Sequence, residues 1–167
     1  LASVNARPAG SPAKVSFSAQ EWCGHVYAQV LFDARYARFA AHSYFDTEAD
    51  SAASFDLPND AVSEDALLTW ARGYSAPVLA PGDSAEAPIL GSLRQSRLLH
   101  QPLDITQAHF KRAAKPEQIT VPAGTFNADV YEVTLTHGRT WRIWVESTEP
   151  HRILQWTCSD GERARFL

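Results

Sequence analysis

The chain has 167 residues, of which 45 % are apolar, 20 % charged and 11 % aromatic. That length suits one domain with a real core. Its 15 Lys and Arg against 19 Asp and Glu leave a net charge of −4, which argues against a protein held to nucleic acid by phosphate neutralisation. No apolar run approaches the ~18 residues of a membrane span, and 8 Gly and 10 Pro without a short period exclude collagen-like and low-complexity chains.

Residues 1–12 lack the basic start and apolar centre of a signal peptide and read as a flexible leader with Pro8, Gly10 and Pro12. Residues 13–167 read as a single β-rich domain. Met is absent, so Leu1 reads as the product of processing or excision. The first strand signal is 15–19, where apolar and polar residues alternate. Gly24 then suggests a bulge or a close backbone approach. In 25–32, Val26, Ala28, Val30 and Phe32 share one face. In 36–46, Ala37, Phe39, Ala41 and Phe45 point one way, with Tyr36, Arg38, Ala40, His42 and Tyr44 opposite. Such short connections predict antiparallel neighbours. Residues 47–51 read as a polar loop.

One helix is predicted over 64–73. Ser63 suits its N-cap, Glu64 and Asp65 its first turn, and Gly73 its end. Leu67, Trp70, Ala71 and Tyr74 form an apolar stripe that must cover a sheet face, with Trp70 expected to be the most buried. Residues 75–88, with three Pro and one Gly, read as a long loop. Strands are expected at 89–100, 103–111 and 125–136. His137-Gly138 reads as a tight hairpin into 139–146, and Asp160-Gly161 as a turn after the strand 152–158. Trp141, Ile143 and Val145 share a face with Trp144 opposite, and Leu154, Trp156 and Cys158 are assigned to one face of their strand. The residues 163–167 look like an interrupted strand.

Chemistry-bearing motifs are sparse. There is no Walker loop, GxGxxG, HExxH, GxSxG or DxDxDG. Cys23 and Cys158, 158 − 23 = 135 positions apart, fit either a disulfide or two separate buried thiols. A sheet that curls back on itself would bring them near each other. Cys23 and His25 form a close Cys–His pair, but i and i+2 on one strand stand about 6–7 Å apart, which suits a core cysteine beside a strand histidine. His42, His100 and His109 fall on three predicted strands, and nothing in their spacing makes them converge on a metal. Asp46, Glu48 and Asp50 alternate in what reads as a solvated loop. Five Trp, eight Phe and five Tyr fit either a two-sided core or an apolar cavity between a curved sheet and a covering helix.

The segment Val121-Pro122-Ala123-Gly124-Thr125-Phe126, then Tyr131-Glu132-Val133, Thr140-Trp141-Arg142-Ile143-Trp144-Val145 and Pro150-His151-Arg152-Ile153-Leu154-Gln155-Trp156, resembles the C-terminal half of secreted bacterial proteins related to the LolA/LolB lipoprotein-carrier fold. Gln20-Glu21-Trp22-Cys23-Gly24-His25 and His42-Ser43-Tyr44-Phe45 resemble a family of exported bacterial proteins. The resemblance implies an open β-barrel with helices at its mouth and a periplasmic or envelope location. It transfers no catalytic residue.

The expectation is therefore a mainly β (α+β) fold, a curved antiparallel sheet or half-barrel of about eight to ten strands with one helix on its concave face. The leading function is a non-enzymatic exported envelope protein that binds an apolar ligand or an envelope partner, with no cofactor, metal, nucleic acid or membrane span. The groove is expected beside Trp70, bordered by the 75–88 loop and the strands 26–32, 36–45 and 141–145, with Trp70, Tyr74, Phe32, Phe39, Trp141 and Trp144 as ligand-binding residues. The alternatives are a structural envelope module, or a hydrolase-type enzyme using the Cys23, His25 and His42 region.

Overall fold

The computed structural model describes residues 12–22, 24–33 and 35–167. Most of the leader and Cys23 lie outside the described residues; Pro12, at the leader's end, is buried. Strands take 53 % of the described residues and helices 10 %, so the class is mainly β, as the alternating patterns require. The expected single sheet is instead two.

The smaller sheet is a meander of β1 (Lys14–Glu21), β2 (Gly24–Phe32), β3 (Tyr36–His42) and β4 (Asp50–Asp56), each antiparallel to the next. The expected loop at 47–51 gives way to β4 at Asp50. The predicted alternation holds. Val26, Val30, Phe32 and Ala37 are all buried, while Tyr36 and Arg38 are exposed.

The larger sheet curls into a half-barrel. It contains β5 (Val62–Ser63), β6 (Ser84–Leu90), β7 (Ile105–Arg112), β8 (Glu117–Val121), β9 (Gly124–Leu135), β10 (Thr140–Glu146), β11 (Ile153–Cys158) and β12 (Arg163–Arg165). All its pairings are antiparallel except β5 with β6. The expected loop at 75–88 thus ends in strand β6. Pro88 is tolerated there because β5 reaches only Ile89 and Leu90, leaving no ladder partner at the proline's missing N–H. Gly138, at φ 92°, makes the predicted hairpin turn between β9 and β10.

Both faces of this sheet are covered. On one face, Phe110, Val133, Leu135, Ile143 and Val145 pack with Leu67, Trp70 and Ala71. On the other, Val130, Trp144 and Leu154 form a separate cluster. Leu154 does not share a face with Trp156 as the alternation implied. Trp144 pairs with Gln155 but Val145 with Ile153, so Leu154 is the extra residue of a β-bulge and is turned to the opposite side.

The predicted helix is shorter than its stripe suggested. It is a 3₁₀ turn, Glu64–Ala66, followed by α1 (Leu67–Ala71). Ser63 makes no capping hydrogen bond, and the turn's acidic side chains accept from the Ser92 and Leu93 N–H groups instead. Leu67, Trp70 and Ala71 are buried, but Tyr74 is 55 % exposed. Gly73 at φ 82° ends the helix and carries Tyr74 off the stripe.

A second helix, α2 (Leu93–Leu99), occupies most of the segment expected to be strand. Gly91 interrupts β6, and the Ser92 hydroxyl caps the helix by accepting from the Gln95 N–H at 3.3 Å. His100, at φ 52°, closes it in the left-handed conformation. The start of α2 and the segment after it lie between the two sheets, where Leu90, Leu93 and Leu103 pack against Ala28, Val30, Phe32 and Ala37.

Candidate functional site

The smaller sheet meets α2 along one end of its apolar face only. Cross-strand rows explain why. Towards one end, Phe32, Ala37 and Phe55 line up across β2, β3 and β4, and this end is sealed by Leu90 and Leu93. Two residues further along, the row reads Val15, Val30, Phe39 and Ala53; two further again, it reads Phe17, Ala28, Ala41 and Ser51. Small side chains replace large ones along β2 and β4, and β3 ends the run with Ala41. The space left is a groove of about 400 Å³, lined mainly by apolar side chains including Phe17, Phe39, Phe55, Leu93 and Leu103. That size falls within the range of small-molecule sites.

The mouth of the groove is polar. The loop 43–49 between β3 and β4 reaches α2 there. Glu48 contacts His100 through its Oε1 and Nδ1 atoms, and its Oε2 stands 3.7 Å from Arg97 Nη1. Arg97 lies over the Phe45 ring at 4.8 Å and the Tyr44 ring at 5.8 Å, and the Phe45 and His100 rings meet edge to face. The Arg97 side chain is only 10 % exposed. Tyr44 is held from behind by Gly24: a Cβ there would stand 2.9 Å from the tyrosine ring. This is the close approach that the glycine signalled.

Of the expected ligand-binding residues, Phe39 lines this groove. The strands β2 and β3 border it as expected, whereas the 75–88 loop and β10 do not. Phe32 is buried in the sealed end. Trp70 is enclosed on the larger sheet, edge to face with Phe110 at 4.9 Å and Tyr131 at 5.4 Å, and its Nε1 donates to the Pro77 carbonyl at 2.8 Å. Trp141 packs on Trp156 at 5.3 Å and donates to Glu64 Oε1. Trp144 lies on the opposite sheet face beneath Arg142 and donates to Glu117. Tyr74 carries Arg72 over its ring. The structure therefore distributes the six over separate surroundings. Sequence reasoning missed Leu93 and Arg97 because it took α2 for a strand, and Glu48 because its alternating acidic segment reads as a solvated loop. The Ser92-x-x-Gln95 spacing after Gly91 was the available signal.

Two residues of the enzymatic alternative, His25 and His42, stand on neighbouring strands of the small sheet. His42 borders the groove, stacked on Tyr27 at 6.4 Å and bonded to Asp50 at 2.6 Å. His25 is exposed on β2, and Cys23 lies outside the described residues. His109 takes Glu86, so His42, His100 and His109 each face a different carboxylate. Among the described residues no three metal-ligating side chains come together.

A polar hollow of about 490 Å³ lies beyond α2, beside Glu64, Arg139 and Asp160. Glu64 is buried, accepts from the Ser92 N–H and Trp141 Nε1, and stands 3.0 Å from Arg139 Nη1 as an ion pair. Burial pushes its carboxyl above the ordinary value, against those donors and the Arg139 charge. Arg139 also reaches Asp160 at 2.8 Å and the Cys158 sulfur at 3.1 Å. Cys158 is a free, buried thiol, pushed up by burial and so a poor nucleophile. This network ties the 3₁₀ turn to α2, β10 and the β11–β12 turn.

Comparison with protein-family models, with curated proteins and with solved structures returns no match to this chain. Of the resemblance in its sequence, the curled half-barrel is the part the structure carries, and it is only loosely compatible with a LolA-like open barrel.

Proposed function

We propose that the protein is a non-enzymatic, exported bacterial envelope protein that binds an elongated apolar ligand in the groove between the small sheet and α2. The observation that carries this reading is the floor of small side chains, Ala28, Ala41 and Ala53, beneath a helix that does not collapse onto it. A packed interior leaves few voids larger than a water molecule, so an open apolar slot of this size is a feature to be filled. The envelope location and the kinship with lipoprotein carriers rest on the sequence resemblance alone.

The test is displacement of an apolar fluorescent probe. Ala53 is exposed on β4, so Ala53→Trp fills the groove without loading the core. Probe binding by the unaltered protein and its loss in Ala53→Trp, with an unchanged circular dichroism spectrum, is the expected outcome. Absence of probe binding by the folded, unaltered protein would leave the structural-module reading in its place.

A further inference from the structure

We infer that the ligand of the groove is an uncharged amphiphile, a long chain ending in a hydroxyl-bearing head group, and that Thr47, Ser51 and Gln101 receive that head at the mouth. This rests on the apolar-ligand reading above and adds the head-group chemistry to it.

Three observations lead there. The first is charge balance. Among the described residues lining the groove, Glu48 is the one carboxylate and Arg97 the one guanidinium, and both are engaged within the protein. Glu48 contacts His100 and stands 3.7 Å from Arg97. Arg97 lies over two aromatic rings, reaches His100 Nδ1 at 3.2 Å and has partners besides these. His42, also on the lining, is bonded to Asp50. A charged head group entering here would give up hydration and gain no ion pair in return. The second observation is what the same wall leaves open. Thr47, Ser51 and Gln101 line the groove, and among the described residues no protein group bonds to their side chains. Each can both donate and accept, as the hydroxyl of a ligand can. The third is placement. The Glu48–His100 contact joins the 43–49 loop to the end of α2, with Thr47 and Gln101 next to it in the chain. Ser51 ends the floor row that begins with Phe17, Ala28 and Ala41. A chain lying along the alanine floor therefore runs out among uncharged hydrogen-bonding groups.

Three probes of equal chain length separate head from chain. Dodecan-1-ol, dodecanoate and dodecylammonium are titrated into the full chain by calorimetry at neutral pH. The alcohol is expected to bind at least about tenfold more tightly than either ion. A slot whose mouth takes no part also favours the alcohol, so a variant shows whether the head is received or left in water. Thr47→Val, Ser51→Ala and Gln101→Met, combined in one chain, remove the three hydrogen-bonding groups. That variant should weaken the alcohol about three- to tenfold while leaving the two ions unchanged. All three positions are exposed, and an unchanged circular dichroism spectrum checks the fold. Should the triple variant not fold, Thr47→Val and Ser51→Ala, made singly, carry the same comparison. Binding of either ion as tightly as the alcohol, or alcohol binding indifferent to the variants, overturns the head-group assignment and leaves the apolar groove standing. Failure of all three probes to bind removes the apolar-ligand reading itself.

Discussion

At Trp70 the packing and the polar demand of one side chain are met together. Phe110 and Tyr131 meet its ring, and the Pro77 carbonyl takes its N–H. Trp70→Ala should cost about 3–5 kcal/mol, read by chemical denaturation; a loss below about 1 kcal/mol would make α1 peripheral. Arg139 is the polar counterpart, with Glu64, Asp160 and the Cys158 sulfur around it. Arg139→Met leaves Glu64 buried without its cation, and at neutral pH should cost about 3 kcal/mol. The pH dependence has a definite sign. Glu64 already stands above its ordinary value of 4.5 through burial, and losing the cation raises it further. An acid raised in the fold contributes stability that is complete below its unfolded value and is lost as pH rises through its folded value. The deficit of Arg139→Met should therefore shrink as pH falls towards 4.5. A deficit that stays constant from neutral to acid pH would show that Glu64 is not the group left stranded.

Among the elements, α2 decides where the groove lies. Ser92 caps it, and its first turn is further fixed by Glu64 and Asp65, which accept from the Ser92 and Leu93 N–H groups. Ser92→Ala should lower stability by about 1 kcal/mol and weaken probe binding, since Leu93 is part of the groove wall. Strand β3 offers the converse change. Ala41→Leu fills part of the slot and should add about 0.5–2 kcal/mol of stability while blocking the probe; loss of stability would mean that the alanine floor is already in contact with α2. The elements also show what the sequence made legible. Alternation identified β2, β3 and β10 and their inward faces, because period two holds wherever a strand carries no bulge. The helix at 64–73 was recognised by its stripe but overextended, since its length is set by packing against β10 and not by propensity. Helix α2 was mistaken for strand because seven residues hold too few turns for a periodicity to show. The bulge at Leu154 depends on its neighbour's register, which no single strand encodes.

For the whole molecule, one covering helix could not close a sheet this wide, and the chain solves the problem with a second sheet. The groove follows from that division, as the seam left open between the small sheet and α2. Aromatic content pointed to an apolar site, but Trp70, Trp141, Trp144 and Trp156 pack in the half-barrel, and small residues as well as Phe17, Phe39 and Phe55 shape the groove. Of the six aromatic residues expected at a site, Phe39 lines the groove; large size marks burial as readily as binding. The measurement closest to the central claim is affinity against chain length for a series of straight-chain alcohols, titrated into the folded protein. A dry apolar slot predicts a gain of about fourfold per added methylene, from ~0.8 kcal/mol each, until the groove is full and the gain stops. Affinity that does not change with chain length, in a protein shown to be folded, would contradict it.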